Sequence, residues 1–540
     1  MTKDFEIARK ARAKPILEVA EGIGLTPEHL FVYGEHIAKI RLDRLLGASK
    51  QGRYVIVSGI NPASSRGEGK TTIAIGLAMA LWRLGKRAIL TLREPSMGPV
   101  FGIKGGATGG GFAQILPMEE LNLHFTGDFH AVTQAQNLAS AVLSAHLFHG
   151  NALGIKPGSV WWPRVMDINE RQLRHIVAGI GGELEEARFE ITPASETMAL
   201  LALSKSLGDL RLRLGHTSVG LDTKGNLVTL EALGVAGSMA ALLKHALLPN
   251  LVQTIEHTPC LVHAGPFANL SHGASSVVAD ALGLSLGDVV VTEAGFGTDC
   301  GLEKLLHIKV PALGWAPDAV VLVVTLQGLL THGGGSLKPG LLHLQKHIEN
   351  VRAFGLPCLV ALNVFGGDAP GDLRTIEEAA LGFGASGTRQ VRAHALGSEG
   401  ALALAELLLE APKESQGFRP LYTPECTLHD KLHRIATTLY GADGVRLSQK
   451  AAKELERIEA LGLDSLPVNV AKTPMSLSHD PQRKGVPKGF FVPIEGFRIA
   501  SGAGFITAFA GDIQTMPGLP KRPAALGIDV DESGNVKGLF

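Results

Sequence analysis

Residues 64–72 read Ser64-Ser65-Arg66-Gly67-Glu68-Gly69-Lys70-Thr71-Thr72 and connect an apolar run, 54–60, to an amphipathic stretch, 71–84. This order predicts a strand, a glycine-containing loop and the start of a helix. The backbone N–H groups of such a loop point inward, the helix N-terminus adds partial positive charge, and Lys70 adds a full one. All nine residues are therefore candidates for binding nucleotide phosphates, with the Thr71 hydroxyl on Mg²⁺.

The loop departs from the usual G-x-x-x-x-G-K-[ST] pattern because Ser64 stands at the first glycine position. The alternative is a Gly-Lys turn that only caps a helix. The context favours the phosphate loop, since Gly85 ends the helix pattern and residues 88–92 read as another buried strand. A β-loop-α-β unit implies a parallel sheet with a right-handed crossover.

The rest of the chain suggests a large α/β core followed by smaller units. Residues 1–50 look helical, and the remainder up to about residue 365 alternates helical patterns with apolar runs. These runs include 259–263, 288–292, 319–325 and 358–363. The pattern then changes, with helices and short strands, and soft boundaries fall near residues 350 and 455.

Composition excludes several classes of protein. The 540-residue chain has a formal net charge of zero, which argues against a nucleic-acid binder. Its longest apolar run, 319–330, is too short for a membrane span, which needs ~18 residues. Four widely spaced cysteines without a CxxC motif, and no apolar stretch within residues 1–14, predict a cytoplasmic protein.

Charged and aromatic side chains follow several of the predicted strands. Arg93 could grip an oxyanion and stabilise a phosphoryl group in transfer, or it could be an ordinary surface arginine. Glu293 could act on the magnesium shell, or it could form a strand-end salt bridge. Asn363, Phe365 and Asp368 together suit a flat heteroaromatic ligand, although core packing is the default reading of Phe365 alone.

Two further segments carry candidate binding groups. Residues 98–111 are rich in glycine, which suits a loop that approaches a ligand closely, but a mobile connector has the same composition. Residues 124–130 contain two histidines and Asp128, with no regular element evident. The histidine spacing of six does not favour zinc, and Asp128 is a better candidate for binding an amine-bearing substrate.

Several long motifs together resemble the formate–tetrahydrofolate ligase family from end to end. They are GEGKTT (67–72), LREPSMGPVFGIKGGATGGGFAQ (92–114), NLHFTGDFHA (122–131), NLVQTIEHTP (250–259), GPFANLSHG (265–273), VTEAGFGTDCG (291–301), LPVNVAKTPMSLSHDP (466–481) and GDIQTMPGLPKRPAA (511–525). The resemblance implies an α/β fold with a phosphate-loop NTPase-like, mostly parallel sheet and two smaller domains. We divide the chain into a nucleotide-binding domain (1–350), a folate-contacting domain (351–455) and a small C-terminal domain (456–540).

The resemblance also implies a reaction and roles for residues. Formate attacks the γ-phosphate of ATP to give formyl phosphate, and N10 of tetrahydrofolate then displaces phosphate to give 10-formyltetrahydrofolate. Lys70 and Arg93 would hold the transferring phosphoryl group, and Thr71 with Mg²⁺ would bridge the nucleotide oxygens. Asp128 would lie near the folate amine, and Phe365 would stack on the pterin. The role of Glu293 is inferred from its strand position alone.

The chain departs from the family pattern at two places. The phosphate loop is one residue longer and lacks the second proline of the usual N-P-T-P-A-G-E-G-K-T-T, and Arg66 adds a charge there. His394 stands where the family has a tryptophan that completes the pterin clamp with Phe365, so the stacking ring is smaller and titratable.

Two alternatives to the ligase therefore stay open: a dimeric phosphate-loop ATPase that acts as a switch, and a ligase-derived protein with altered folate specificity. The ~50 residues ahead of the nucleotide unit predict the monofunctional form of the ligase, because a fused dehydrogenase module needs more chain. The resemblance further implies a homotetramer and stimulation by K⁺ or NH₄⁺.

Overall fold

The computed structural model describes residues 4–42, 49–62, 67–102, 108–181, 184–411 and 417–539. Within these ranges, twelve strands form one sheet. Ten of them lie side by side in the order Leu30–Val32, Ala38–Ile40, Asn250–Thr254, Pro259–Val262, Ala88–Leu92, Val289–Gly297, Arg53–Gly59, Ala319–Val324, Cys358–Asn363 and Gly387–Val391. The strands from Pro259–Val262 to Gly387–Val391 are parallel, as the sequence predicts.

The remaining strands of this sheet are antiparallel and lie at its other end. Gly109–Gly110 pairs with Ala113–Leu116, which in turn pairs with Asn250–Thr254. The prediction that residues 1–50 are helical is wrong in part, because Leu30–Val32 and Ala38–Ile40 are strands. Ala38–Ile40 pairs with Leu30–Val32 on one side and with Asn250–Thr254 on the other. Asn250–Thr254 is about 210 residues away in sequence, so local periodicity carries no signal for this second pairing.

Helices cover both faces of the parallel strands. On one face the phosphate-loop helix, Lys70–Arg83, buries all its side chains from Ile73 to Leu81 against Val55 and Val57. On the other face the helix Leu337–Ala353 packs against the strands Ala319–Val324 and Cys358–Asn363. Because a parallel sheet with two covered faces needs apolar residues on both sides, its strands are continuous apolar runs.

The α-helices in the described residues are Asp4–Lys10, Ile16–Glu21, Lys70–Arg83, Met97–Phe101, Met118–Asn122, Asp128–Phe148, Glu196–Leu203, Leu207–His216, Ala236–Leu243, Val277–Leu286, Val310–Leu313, Leu326–His332, Leu337–Ala353, Pro370–Gly382, Ala393–Leu396, Leu402–Glu410, Leu428–Ile435 and Gln449–Ala460. Three π-helical segments are Thr298–Leu302, Leu305–Lys309 and Ala436–Tyr440. Short 3₁₀ turns are Pro27–His29, Arg171–Arg174, Thr192–Ala194, Glu399–Ala401 and Ala524–Gly527.

Small sheets complete the described structure. They pair Arg164–Met166 with Phe189–Ile191, Ile176–Ala178 with Glu185–Ala187, Ser218–Leu221 with Leu227–Thr229, Gly444–Leu447 with Phe491–Ile494, and Asp529–Val530 with Val536–Lys537, and they join Val468–Ala471, Phe505–Phe509 and Gly496–Ala500. The large sheet continues past residue 350 through Cys358–Asn363 and Gly387–Val391. The division at 350 and 455 stays a prediction.

Candidate active site

The phosphate-proximal half of the predicted loop leads directly into a helix. Gly69 has a φ of 80° and caps the helix that begins at Lys70. Glycine adopts this left-handed conformation at the lowest cost, which explains why position 69 is a glycine. Ser64, Ser65 and Arg66, predicted to bind ATP, lie outside the described residues.

Lys70 packs its side chain over the end of the strand Arg53–Gly59. A Cβ on Gly59 would lie 3.2 Å from Lys70 Cδ, so a larger residue would crowd the lysine stem. Burial lowers the pKa of Lys70 from its ordinary value, while the carboxylates of Glu293 and Glu68 oppose that shift. The ammonium group is therefore partly desolvated between carboxylates, at the edge where the parallel strands end.

Glu68 is buried and ties the loop to two neighbouring strands. The Thr325 hydroxyl donates a short hydrogen bond to Glu68 Oε2 and accepts one from Gly328 N at 2.8 Å. Asn363 Nδ2 donates to the Glu68 carbonyl oxygen at 3.1 Å. Hydrogen bonds of the Glu68 side chain and backbone therefore attach this part of the loop to Thr325 and Asn363.

Thr71, Arg93 and Glu293 meet at one point, although they come from three separate segments. The Thr71 hydroxyl donates to Glu293 Oε2 at 2.7 Å, and Arg93 NH2 lies 3.5 Å from Glu293 Oε1. Arg93 NH1 also donates to the Pro266 carbonyl at 3.3 Å, whereas its buried Nε has no hydrogen-bond partner among the described residues. The arginine is thus held between Glu293 and the Pro266 carbonyl, beside Thr71.

Asp128 begins the helix Asp128–Phe148, so the expectation of no regular element around it is wrong. Both of its carboxylate oxygens lie 2.8 Å from Lys39 Nζ, and Asn250 Nδ2 donates to Oδ2 at 2.8 Å. Lys39 and Asp128 are both almost completely buried. In this structure the Asp128 carboxylate binds the amine of Lys39, and its role towards a substrate amine stays a prediction.

Glu94 lies beside Asp128 and was not predicted as a site residue. It directly follows Arg93 and is 6% exposed. Burial, the charge of Asp128 and a hydrogen bond to Asp128 raise the pKa of Glu94 well above its ordinary range. A buried carboxyl group with a raised pKa therefore directly follows Arg93 in the chain. The only feature of the sequence that could have pointed to Glu94 is its position directly after Arg93.

The two predicted folate residues are exposed. The Phe365 side chain is about half exposed, and its backbone N–H donates to Asp368 Oδ2 at 2.8 Å. His394 lies in the short helix Ala393–Leu396, with Nε2 3.5 Å from Asp4 Oδ1. A hydrogen bond to Asp4 raises the pKa of His394, and Asp4 also accepts a bond from Gly111 N at 3.1 Å. The N-terminal helix and the glycine-rich segment therefore meet at His394.

The described residues contain no group of three or more His, Cys, Asp or Glu side chains arranged to hold a metal ion. Magnesium needs fewer protein ligands, because it keeps several waters and uses substrate phosphates. The adjacent Thr71 and Glu293 oxygens suit that cation. None of the helices in the described ranges is both long and apolar enough to span a membrane.

Comparison with known proteins agrees with the motifs over the whole chain. A protein-family model described as formate–tetrahydrofolate ligase matches residues 2–540. The formate–tetrahydrofolate ligase of Roseiflexus castenholzii is 46% identical over 564 residues, covering 100% of both chains. That of Thermus thermophilus is 48% identical over 544 residues, covering 97% of this chain and 98% of the relative. The resemblance inferred from the motifs is confirmed.

Proposed function

This chain belongs to the formate–tetrahydrofolate ligase family, and we propose that Lys70, Thr71, Arg93 and Glu293 form the place where ATP activates formate. The enzyme joins formate to tetrahydrofolate at the expense of ATP, giving 10-formyltetrahydrofolate, ADP and phosphate. The observation that carries the proposed site is the contact of Thr71 and Arg93 with opposite oxygens of Glu293, beside Lys70.

In the first step a formate oxygen attacks the γ-phosphorus of ATP, and the bond to the ADP oxygen breaks. Both reactants are anions, so the site must neutralise charge and hold them in line. Lys70 and Arg93 supply two cations that would neutralise charge on the transferring phosphoryl group. Glu293 holds the guanidinium in place.

Thr71 and Glu293 are the residues that would hold Mg²⁺. When bound, the ion neutralises charge on the nucleotide phosphates. The Thr71 hydroxyl and the Glu293 carboxylate supply hard oxygen ligands, and the 3% exposure of the Glu293 side chain keeps that carboxylate fixed.

In the second step N10 of tetrahydrofolate attacks the formyl carbon, phosphate leaves and the amine loses a proton. We place Asp128 near this amine as a source of negative charge. Because Lys39 and Asn250 already bind its carboxylate, its effect on the substrate would pass through Glu94. A buried carboxyl group with a raised pKa suits the transfer of a proton from an amine.

Phe365 and His394 are our candidates for the two sides of a pterin clamp. Both rings are exposed in the described structure, as ligand-stacking rings must be. The family also leads us to propose a cytoplasmic homotetramer that K⁺ or NH₄⁺ stimulates. Four unpaired cysteines, three of them buried, fit the reducing compartment.

Steady-state turnover of ATP by the purified protein tests the function. We expect ADP release to require both formate and tetrahydrofolate, with one 10-formyltetrahydrofolate formed for each ADP. ATP turnover that is independent of both substrates would instead support the ATPase switch. The family match over the full length gives that alternative no support.

A further inference from the structure

Asn61 lies between the strand Arg53–Gly59 and the phosphate loop, and it is completely buried. Its side-chain Nδ2 donates to both oxygens of Asp299, at 3.0 and 3.2 Å, and to the Pro474 carbonyl at 2.9 Å. One amide group therefore joins the start of the phosphate loop to the π-helical segment Thr298–Leu302 and to the C-terminal part of the chain.

Two histidines bind the other polar groups of Asn61. His332 Nε2 donates to the Asn61 carbonyl oxygen at 3.0 Å, and His347 Nε2 lies 3.1 Å from Asn61 Oδ1. The His332 ring stacks on His343 with 3.9 Å between ring centroids, and His343 meets His347 edge-on at 4.6 Å. Hydrogen bonds thus hold Asn61 at its backbone carbonyl and at both the oxygen and the nitrogen of its side-chain amide.

Backbone carbonyls show which nitrogen of His332 and of His343 carries the hydrogen. His343 Nδ1 faces the Gly485 carbonyl at 3.0 Å, and a carbonyl only accepts, so this nitrogen carries the hydrogen. The Nε2 of neutral His343 is then an acceptor, and it lies 3.2 Å from His347 Nε2, which also faces the Asn61 backbone N–H at 3.3 Å. His347 Nδ1 lies 2.7 Å from the Thr298 hydroxyl, so both nitrogens of this ring have partners.

The network requires uncharged rings, and burial keeps them uncharged. Burial lowers the pKa of His332 to about 4 and that of His343 and His347 well below the ordinary value. Asp299, whose carboxylate accepts from Asn61, forms an ion pair with Lys472 Nζ at 2.6 Å. The cluster is therefore neutral and fully buried at physiological pH.

We propose that Asn61 is a positioning residue for ATP, held by His332, His347 and Asp299 so that the phosphate loop starts in one place. This inference rests on the phosphate-loop ATP site proposed above. The loop is one residue longer than the family pattern and lacks the proline that would restrict its backbone. Four hydrogen-bond partners instead hold Asn61, from which the loop starts.

Asn61→Ala tests this role, together with two variants of His332. His332→Phe keeps a ring that can stack on His343 but removes the donor to Asn61, whereas His332→Gln keeps an amide donor. We expect Asn61→Ala and His332→Phe to raise the KM for ATP and the Kd for ADP with Mg²⁺ about tenfold or more. The KM values for formate and tetrahydrofolate should stay within about twofold, and His332→Gln should restore nucleotide affinity.

Asn469→Ala is the matched control, because this buried asparagine donates to Thr507 in a different sheet. It should lower thermal stability without changing the KM for ATP. If Asn61→Ala does not fold, the nucleotide affinities of His332→Phe and His332→Gln test the role of Asn61 instead. Normal affinity for ADP in folded Asn61→Ala and His332→Phe would overturn the inference. Failure of the wild-type protein to bind ADP would instead overturn the ATP site.

Discussion

The Thr71 hydroxyl donates a hydrogen bond to Glu293 across 2.7 Å, and this contact joins the first turn of the phosphate-loop helix to the strand Val289–Gly297. The same carboxylate faces Arg93 through its second oxygen. A single side chain therefore touches both the proposed magnesium ligand and the proposed phosphoryl-binding cation. Glu293 therefore connects the proposed binding of Mg²⁺ to the proposed binding of the phosphoryl group, and phosphoryl transfer needs both.

Replacing Glu293 by glutamine should raise the concentration of Mg²⁺ needed for half-maximal activity and lower kcat by about 10²-fold, because the carboxylate charge is lost while its shape is kept. The measurement is initial rate against Mg²⁺ at a fixed ATP concentration. Thr71→Val should behave similarly and Thr71→Ser should resemble the wild type. An unchanged Mg²⁺ requirement in both Glu293→Gln and Thr71→Val would contradict the assignment.

Lys70→Ala should lower the rate of 10-formyltetrahydrofolate synthesis by about 10²- to 10³-fold, because a preorganised cation at the transferring phosphoryl group is removed. Synthesis is followed directly in a coupled assay at saturating substrates. Lys86→Ala, at an exposed position beyond the other end of the same helix, is the matched control. Near-normal synthesis by Lys70→Ala would remove the phosphate-loop assignment.

The sequence predicted the Thr71, Arg93 and Glu293 cluster because parallel strands present their carboxyl ends at one edge of the sheet. Arg93 and Glu293 could each be placed there from an apolar run followed by a charged residue. The motif likewise predicted the helix start at Lys70 to within one residue.

Other parts of the site carry no local signal. Lys39 and Asp128 are 89 residues apart, and Lys39 lies on a three-residue strand within a segment predicted to be helical. The histidines around Asn61 come from two consecutive helices that lie more than 260 residues beyond it in the chain. Such partners are chosen by tertiary packing, which a single sequence does not show.

Asp128→Asn should destabilise the protein by about 3–5 kcal/mol, since it leaves the Lys39 ammonium buried without its counter-charge. Urea unfolding measures the change as a shift in midpoint at constant slope. The double variant Lys39→Met/Asp128→Leu should recover part of this loss, because no charge is then buried unpaired. If Asp128 served only the substrate, Asp128→Asn would unfold at the wild-type midpoint.

His394→Trp should lower the KM for tetrahydrofolate, because an indole stacks more area on a pterin than an imidazole does. The variant also loses the ion pair with Asp4, so Asp4→Asn is needed as a control that removes the pair and keeps the imidazole. Asp4→Asn should not reproduce the gain in affinity. An unchanged or raised KM in His394→Trp would count against the pterin clamp.

The buried histidines around Asn61 should make stability fall in mild acid. His332 has a folded-state pKa of about 4, compared with about 6.5 in an unfolded chain, so between these values the unfolded state binds an extra proton. The His332 contribution is therefore complete above pH ~6.5 and is lost as the pH falls towards 4. Asp167 and Glu196 act in the opposite sense, because burial raises the pKa of each to about 7.

A comparison of variants isolates the histidine contribution from those carboxyl groups. His332→Phe should reduce the slope of unfolding free energy against pH by up to about 1.4 kcal/mol per pH unit between pH 4 and 6.5. Urea titrations at several pH values give this slope, and His149→Asn, at an exposed position, is the matched control. Equal slopes for His332→Phe and the wild type would show that His332 takes up a proton in the folded protein as readily as in the unfolded chain, and the neutral network around Asn61 would then be wrong.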